Sequence, residues 1–238
     1  MRKIVCESYE EICRFAADIY VRLLKEKPDC TLGLATGSTP IGLYNELVRR
    51  YNAGEIDFSK ARSFNLDEYY PIKSSHPQSY KSFMDEHLFS RVNFSSSRIL
   101  NGEAQDPHAE CAAFDAEVEA LGGIDLQLLG IGVNGHIAFI EPGLSYPLGS
   151  SLVELAEETL TANSRFFNEG EVQPTSALST GLRPIFSAKQ IIMLVTGAGK
   201  ADIIRKLFDG VIHTDVPACF LHLHPDVTVI IDKAANGE

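Results

Sequence analysis

Strand-like and helix-like stretches alternate along the whole chain, and that alternation narrows its fold more than any compositional figure. Thr31-Leu32-Gly33-Leu34-Ala35-Thr36 is a short apolar strand. Gly37-Ser38-Thr39-Pro40 turns it into a helix over about residues 40 to 53, with Thr39 as N-cap and Pro40 at the first helical position. The pattern returns at Lys189 to Val195, where Thr196-Gly197-Ala198-Gly199-Lys200 leads a strong strand into another helix. Between them, the largely apolar run Ile124 to Leu129 reads as a strand covered on both faces. Helix signals fill the intervals at residues 8 to 26, with Ser8 and Glu11 as a capping box, at Pro77 to Arg91, at Asp106 to Leu121 and at about 157 to 168. Residues 61 to 66 and Val227 to Ile231 add strands, and Thr175 to Leu182 reads as a short helix or turn. Strands linked through helices run parallel, so the expected fold is α/β, a doubly wound, mainly parallel sheet with helices on both faces. One domain over residues 1–238 is expected.

Composition closes off several functions. Hydrophobic residues make up 45% of the chain, enough for a full core, yet no apolar run reaches the roughly 20 residues of a membrane span. The N-terminus meets Glu7, Glu10 and Glu11 before a secretory signal could form, so a cytoplasmic protein is expected. Five scattered cysteines without a C-x-x-C predict buried free thiols in a reducing compartment. His222 and His224, at strand spacing, could meet Cys219 or Asp226 around a metal. No second ligand pair of matching spacing exists, so they read as structural or interface histidines and no metal is expected. A net charge of −11 argues against a nucleic-acid polymer as partner. It does not exclude a small anion, which needs only backbone N–H groups and one or two cations.

Such an anion seat is visible at Gly37 to Thr39, where a strand, a tight turn and a helix start coincide. Lys200, in the first turn of its helix, opposes the helix dipole unless an anion shares the site. Asp67 and Glu68 follow a strand, on the rim where open α/β sheets bind ligands, and there Asp67 suits a general base or a metal ligand. Gly130, Gly132 and Gly135 match the dinucleotide fingerprint G-x-G-x-x-G. Pro142-Gly143 follows too soon for the helix that would hold a pyrophosphate. The loop instead presents Asn134, His136 and Glu141 together, and the Pro-Gly break is expected to turn Glu141 back towards His136.

Four stretches in order carry a resemblance: Leu34 to Pro40, Phe64-Asn65-Leu66-Asp67-Glu68-Tyr69-Tyr70, Gly130 to Gly143, and Ala162-Asn163-Ser164-Arg165-Phe166-Phe167. Together they resemble the glucosamine-6-phosphate deaminases over about residues 30 to 232. The resemblance implies a Rossmann-like fold that turns glucosamine 6-phosphate and water into fructose 6-phosphate and ammonia, with neither metal nor organic cofactor. It implies Asp67 as the base that moves a proton from C2 to C1, His136 as the group handling the ring-opening proton, Glu141 as its partner, and Asn134 as a further support for the imidazole. Thr36, Gly37, Ser38 and Thr39, with Arg165 and Lys200, would hold the phosphate.

Two departures stand out. Ile140 replaces the asparagine common before Glu-Pro, which bears on substrate selection. The stretch Leu144 to Val153 lacks the serine, arginine and lysine set that binds the activator in allosteric hexamers, so a non-allosteric monomer or small homo-oligomer is expected. The alternatives are a 6-phosphogluconolactonase, whose loop continues Thr-Ala-Ser after the histidine, and a non-catalytic sugar-phosphate sensor, which would usually carry a further domain.

Overall fold

The computed structural model describes residues 1–164, 167 and 172–238. The strands among them are β1 (Arg2–Cys6), β2 (Thr31–Leu34), β3 (Arg62–Asn65), β4 (Asp67–Tyr70), β5 (Ser96–Arg98), β6 (Leu126–Leu129), β7 (Ser151–Glu154), β8 (Ser176–Ser179), β9 (Gln190–Val195) and β10 (Val227–Asp232). The helices are α1 (Tyr9–Glu26), α2 (Ile41–Asn52), α3 (Tyr80–Met84), α4 (Pro107–Ala120), α5 (Glu157–Ser164), α6 (Leu182–Phe186), α7 (Ala201–Leu207) and α8 (Lys233–Asn236).

Seven strands form one parallel sheet in the order β1-β10-β9-β6-β2-β3-β5. From β1 through β2 and β3 to β5 the chain advances across the sheet, and from β6 through β9 to β10 it returns on the other side of β2. Right-handed crossovers put α1 and α2 on one face and α4 and α7 on the other. The expected doubly wound sheet is therefore present, and its direction reverses between β2 and β6. No described helix is long and apolar enough to cross a membrane.

The central strands are buried along their length, but the run ending in β6 is less apolar than its neighbours. Asp125, 5% exposed, accepts from Lys27 Nζ at 2.8 Å, Lys189 Nζ at 2.7 Å and the Thr31 N–H at 2.8 Å. Those donors outweigh burial and hold its carboxyl below the usual range. Gln127, also buried, donates from Nε2 to the Leu128 carbonyl at 2.8 Å. Its amide lies across Gly33, where a Cβ would fall 2.1 Å from Gln127 Oε1. Two buried polar side chains thus join the strands of the reversal, each with its donors or acceptors satisfied locally.

Elsewhere tertiary contacts replace the expected local signals. Helix α2 begins at Ile41, and neither Thr39 nor any other side chain caps it. The Tyr9 hydroxyl, from α1, accepts the Gly42 N–H at 2.8 Å and donates to the Thr39 carbonyl at 2.7 Å, so a neighbouring helix holds this turn. Ser8 Oγ does accept the Glu11 N–H, but the Glu11 carboxylate takes the Glu7 N–H at 2.6 Å, leaving the capping box half made. The helix expected from Pro77 starts at Tyr80, and its last turn widens to a π-helix over Asp85–Phe89.

A three-stranded antiparallel sheet, β4-β8-β7, stands beside the main one. Ser176–Ser179 is its central strand instead of a helix or turn, because both partners come from distant segments. His222 lies in a 3-10 helix, Pro217–Leu223, so the two histidines do not share a strand face. Their rings bond the Leu207 and Ala188 carbonyls, each at 2.7 Å, as structural histidines do. All five cysteines are free and buried.

The Gly33–Gln127 contact yields a stability prediction. Gly33→Ala should cost about 1–3 kcal/mol through overpacking. Pairing it with Gln127→Ala should recover part of that loss, with the coupling measured by denaturant unfolding of the four-member cycle.

Candidate active site

The loops after β2 and β6 part company because their strands stand on either side of the reversal. Such a switch point opens a crevice beyond the carboxyl ends of the strands. Here the crevice is a cleft of about 330 Å³, within the range of small-molecule sites. Thr36, Gly37, Ser38, Thr39, Asp67, Asn134, His136 and Lys200 all line it. Glu141 lies behind His136 and Arg165 lies outside the described residues.

One end of the cleft is suited to an anion. Gly37 takes φ +103°, a conformation other residues rarely adopt, and exposes the backbone of the turn without a side chain over it. Lys200 Nζ donates to the Ile131 carbonyl at 2.6 Å and has no carboxylate partner among the described residues. Burial pushes its pKa down, so an incoming anion would relieve the cost of its charge.

The glycine loop is two successive tight turns. Gly135 N–H donates to the Gly132 carbonyl at 3.0 Å, and Gly132 N–H to the His136 carbonyl at 2.9 Å. A Cβ on Gly132 would fall 2.3 Å from the His136 ring, so the imidazole occupies the space the glycine leaves. The second turn is closed by the Ile140 N–H on the Ile137 carbonyl at 3.0 Å, with Ala138 at φ +50°. That turn, and not Pro142-Gly143, reverses the chain and brings Glu141 back. Ile140 is 2% exposed and packs in the core, so its side chain does not face the cleft.

Glu141 Oε2 stands 3.3 Å from His136 Nδ1, at ion-pair range though not in line for a hydrogen bond. Asn134 Nδ2 donates to the same oxygen at 2.9 Å, while Asn134 Oδ1 accepts the His136 backbone N–H at 3.1 Å. Thr159 Oγ1 donates to Oε1 at 2.6 Å. Burial opposes ionisation of Glu141, but His136, Thr159 and Asn134 outweigh it and hold the carboxyl down to about 2. The imidazole therefore faces a fixed negative charge.

Asp67 has the opposite surroundings. Burial, then the neighbouring Glu68 charge, pushes its carboxyl up to about 8, and no donor among the described residues reaches it. Glu68 Oε1 accepts the Tyr69 and Tyr80 N–H groups at 2.9 and 2.8 Å, and its Oε2 accepts the Lys81 N–H at 2.9 Å. Burial raises Glu68 too, against these donors, which favour its ionised form. Of the two carboxyls, the one without donors takes the proton. A carboxyl poised near neutral pH and an imidazole backed by a carboxylate can exchange protons at two points of one bound molecule.

Asp67 begins β4 rather than ending a strand, and pairs in register with Ser179, which pairs with Ser151. Ser179 Oγ accepts the Phe139 N–H at 3.1 Å, tying the small sheet to the glycine loop. Tyr80 and Phe139, stacked with ring centroids 6.2 Å apart, form an apolar wall. Thr159, Ser179 and Tyr80 went unpredicted. Each is recognisable only through a partner far away in the chain.

The family described as "Glucosamine-6-phosphate isomerases/6-phosphogluconolactonase" matches residues 7–230. The chain belongs to this family. A glucosamine-6-phosphate deaminase of Clostridium perfringens (strain SM101 / Type A) is 45% identical over 99% of this chain and 98% of its own length. One from Thermoanaerobacter pseudethanolicus is 48% identical over 99% and 94%. A solved monomeric glucosamine-6-phosphate deaminase superposes with a TM-score of 0.96 at 44% identity, covering 100% of this chain and 99% of that one. A 6-phosphogluconolactonase from Leishmania guyanensis, 18% identical over 99% and 97% with a TM-score of 0.78, shares the fold.

Within that family the Gly132–His136 contact is testable here. Gly132→Ala should displace the imidazole, and if His136 acts on the substrate it should lower kcat at least tenfold. Circular dichroism should show the fold retained.

Proposed function

We propose that the chain converts glucosamine 6-phosphate and water to fructose 6-phosphate and ammonia. The carrying observation is the convergence of Asp67 and the His136–Glu141 pair on one cleft that ends in an anion seat. Relatives named glucosamine-6-phosphate deaminase, 45–48% identical over nearly the whole chain, support the same reading.

The phosphate binds the Thr36–Thr39 turn, with Lys200 and Arg165 as its cations. That anchors the sugar, so the reacting carbons reach the carboxyl and imidazole without a bimolecular search. His136 moves the proton between the ring oxygen and the C1 hydroxyl as the pyranose opens to the aldehyde. The Glu141 charge stabilises the imidazolium while it carries that proton. Asp67 removes the proton from C2, leaving a C1–C2 double bond that bears the amine, and returns it to C1. The imine thus formed at C2 adds water and releases ammonia, leaving the ketose phosphate. Protein groups alone carry the protons in this sequence.

Free, buried cysteines are in keeping with a cytoplasmic setting. A non-allosteric monomer or small homo-oligomer is the proposed state, and the monomeric structural relative favours the former. Activation by N-acetylglucosamine 6-phosphate, with a sigmoidal rate curve made hyperbolic, would overturn the non-allosteric part.

The deciding assay offers glucosamine 6-phosphate and, separately, 6-phosphogluconolactone. Ammonium and fructose 6-phosphate should form in equal amounts from the first, with no enzymatic loss of the second. No ammonium would sink the proposal. Asp67→Asn should abolish exchange of the C2 hydrogen with solvent, with kcat reduced by at least about 10²–10⁴, while phosphate-dependent binding persists.

A pH profile tests the same residue. Only the ionised carboxyl accepts a proton, so kcat/KM should fall as pH drops through the raised pKa. The acid limb of the free enzyme should lie towards 8, well above the usual carboxylate value of about 4. A limb near 4 would remove Asp67 from the role of base.

A further inference from the structure

Glu141 is held from two directions. Asn134 and His136, on its own loop, face Oε2, whereas Oε1 is met by the Thr159 hydroxyl from α5. Among the described residues Thr159 is the one donor to Oε1. At 2.6 Å the contact is a short, charge-assisted hydrogen bond, stronger than a neutral one.

The terminal torsion of a glutamate is broad and roughly two-fold, so a carboxylate tied at one oxygen still swings about its last bond. A donor on each oxygen fixes its plane. The plane matters here because Oε2 must face Nδ1 to hold the imidazole.

Thr159 reaches this position through the small sheet. Helix α5 follows β7, β7 pairs with β8, and β8 pairs with β4, which begins at Asp67. Ser151, Ser179 and Asp67 form one row across those strands, and Ser179 Oγ grips the loop at Phe139. The sheet that carries Asp67 therefore also presents the hydroxyl that orients Glu141.

We infer that Thr159 is a positioning residue: its hydroxyl sets the plane of the Glu141 carboxylate and so orients the His136 imidazole for proton transfer. The inference rests on the reading of His136 as the ring-opening group. Thr159 acts through Glu141 and moves no proton itself.

Two substitutions separate the hydroxyl from the shape of the side chain. Thr159→Val keeps the branched volume without the donor, and Thr159→Ser keeps the donor. On glucosamine 6-phosphate the valine variant should lose about tenfold in kcat with KM changed by less than about twofold. The serine variant should stay within about twofold of the parent in both. In ligand-free protein, ¹⁵N spectra of the imidazoles should show the His136 signals displaced in the valine variant and unmoved in the serine variant. Equal losses in both variants, or wild-type kcat and His136 signals in Thr159→Val, would overturn the inference. A raised KM at unchanged kcat would assign Thr159 to substrate contact and overturn it as well. If the parent protein releases no ammonium, the substrate reading fails alone, and the imidazole spectra still decide whether Thr159 positions Glu141.

Discussion

The reversal of chain direction between β2 and β6 is the constraint on which the rest of this molecule depends. Two neighbouring parallel strands whose following segments leave in opposite directions cannot cover the space beyond their own ends. That space is the cleft. The contact at the reversal is close, because Gly33 yields the room that the Gln127 amide fills. Asp125 then draws Lys27, Lys189 and the Thr31 backbone to the other end of the same strands. Buried polar groups, satisfied in place, fix the pair more specifically than apolar packing alone would.

The small antiparallel sheet supplies what the main sheet lacks. Parallel strands deliver loops to one rim but do not hold those loops against each other. Through β4, β8 and β7 the structure joins Asp67, the Phe139 backbone and α5 into one frame. Beside it, Tyr69, Phe139, Tyr80 and Phe167 pack in a second and separate apolar cluster. Asp67 and the loop bearing His136, on two sides of the cleft, therefore share one support.

Two buried carboxyls and one partly buried one show how environment divides residues of one chemical class. Glu141 has donors on both oxygens and remains charged, while Asp67 has none and holds its proton to an unusually high pH. Glu68, adjacent in sequence to Asp67, spends its acceptors on the N-terminus of α3 and contributes a charge that keeps Asp67 protonated. Carboxyls driven apart in this way suit the two roles proposed for them, one to take up a proton and the other to hold a cationic partner.

Local chemistry sufficed to read a good part of this from the sequence. Apolar runs punctuated by glycine turns specify parallel strands and crossover helices, and Asp67, His136 and Lys200 all follow such strands in the chain and line the cleft. Residues whose partners lie far along the chain escaped that reading. Ser176–Ser179 is too short and polar to declare itself a strand without β4 and β7, the α2 start is held by Tyr9 and not by Thr39, and Ala138 carries a reversal no propensity would give an alanine. That the Gly130–Gly143 loop presents His136 was legible, but only the fold showed that Gly132 makes room for its ring. Sequence alone determined which groups stand at the rim, because strand ends and turns are set within a few residues. Tertiary structure alone decided their protonation and orientation, because burial and hydrogen-bond partners are properties of the folded neighbourhood.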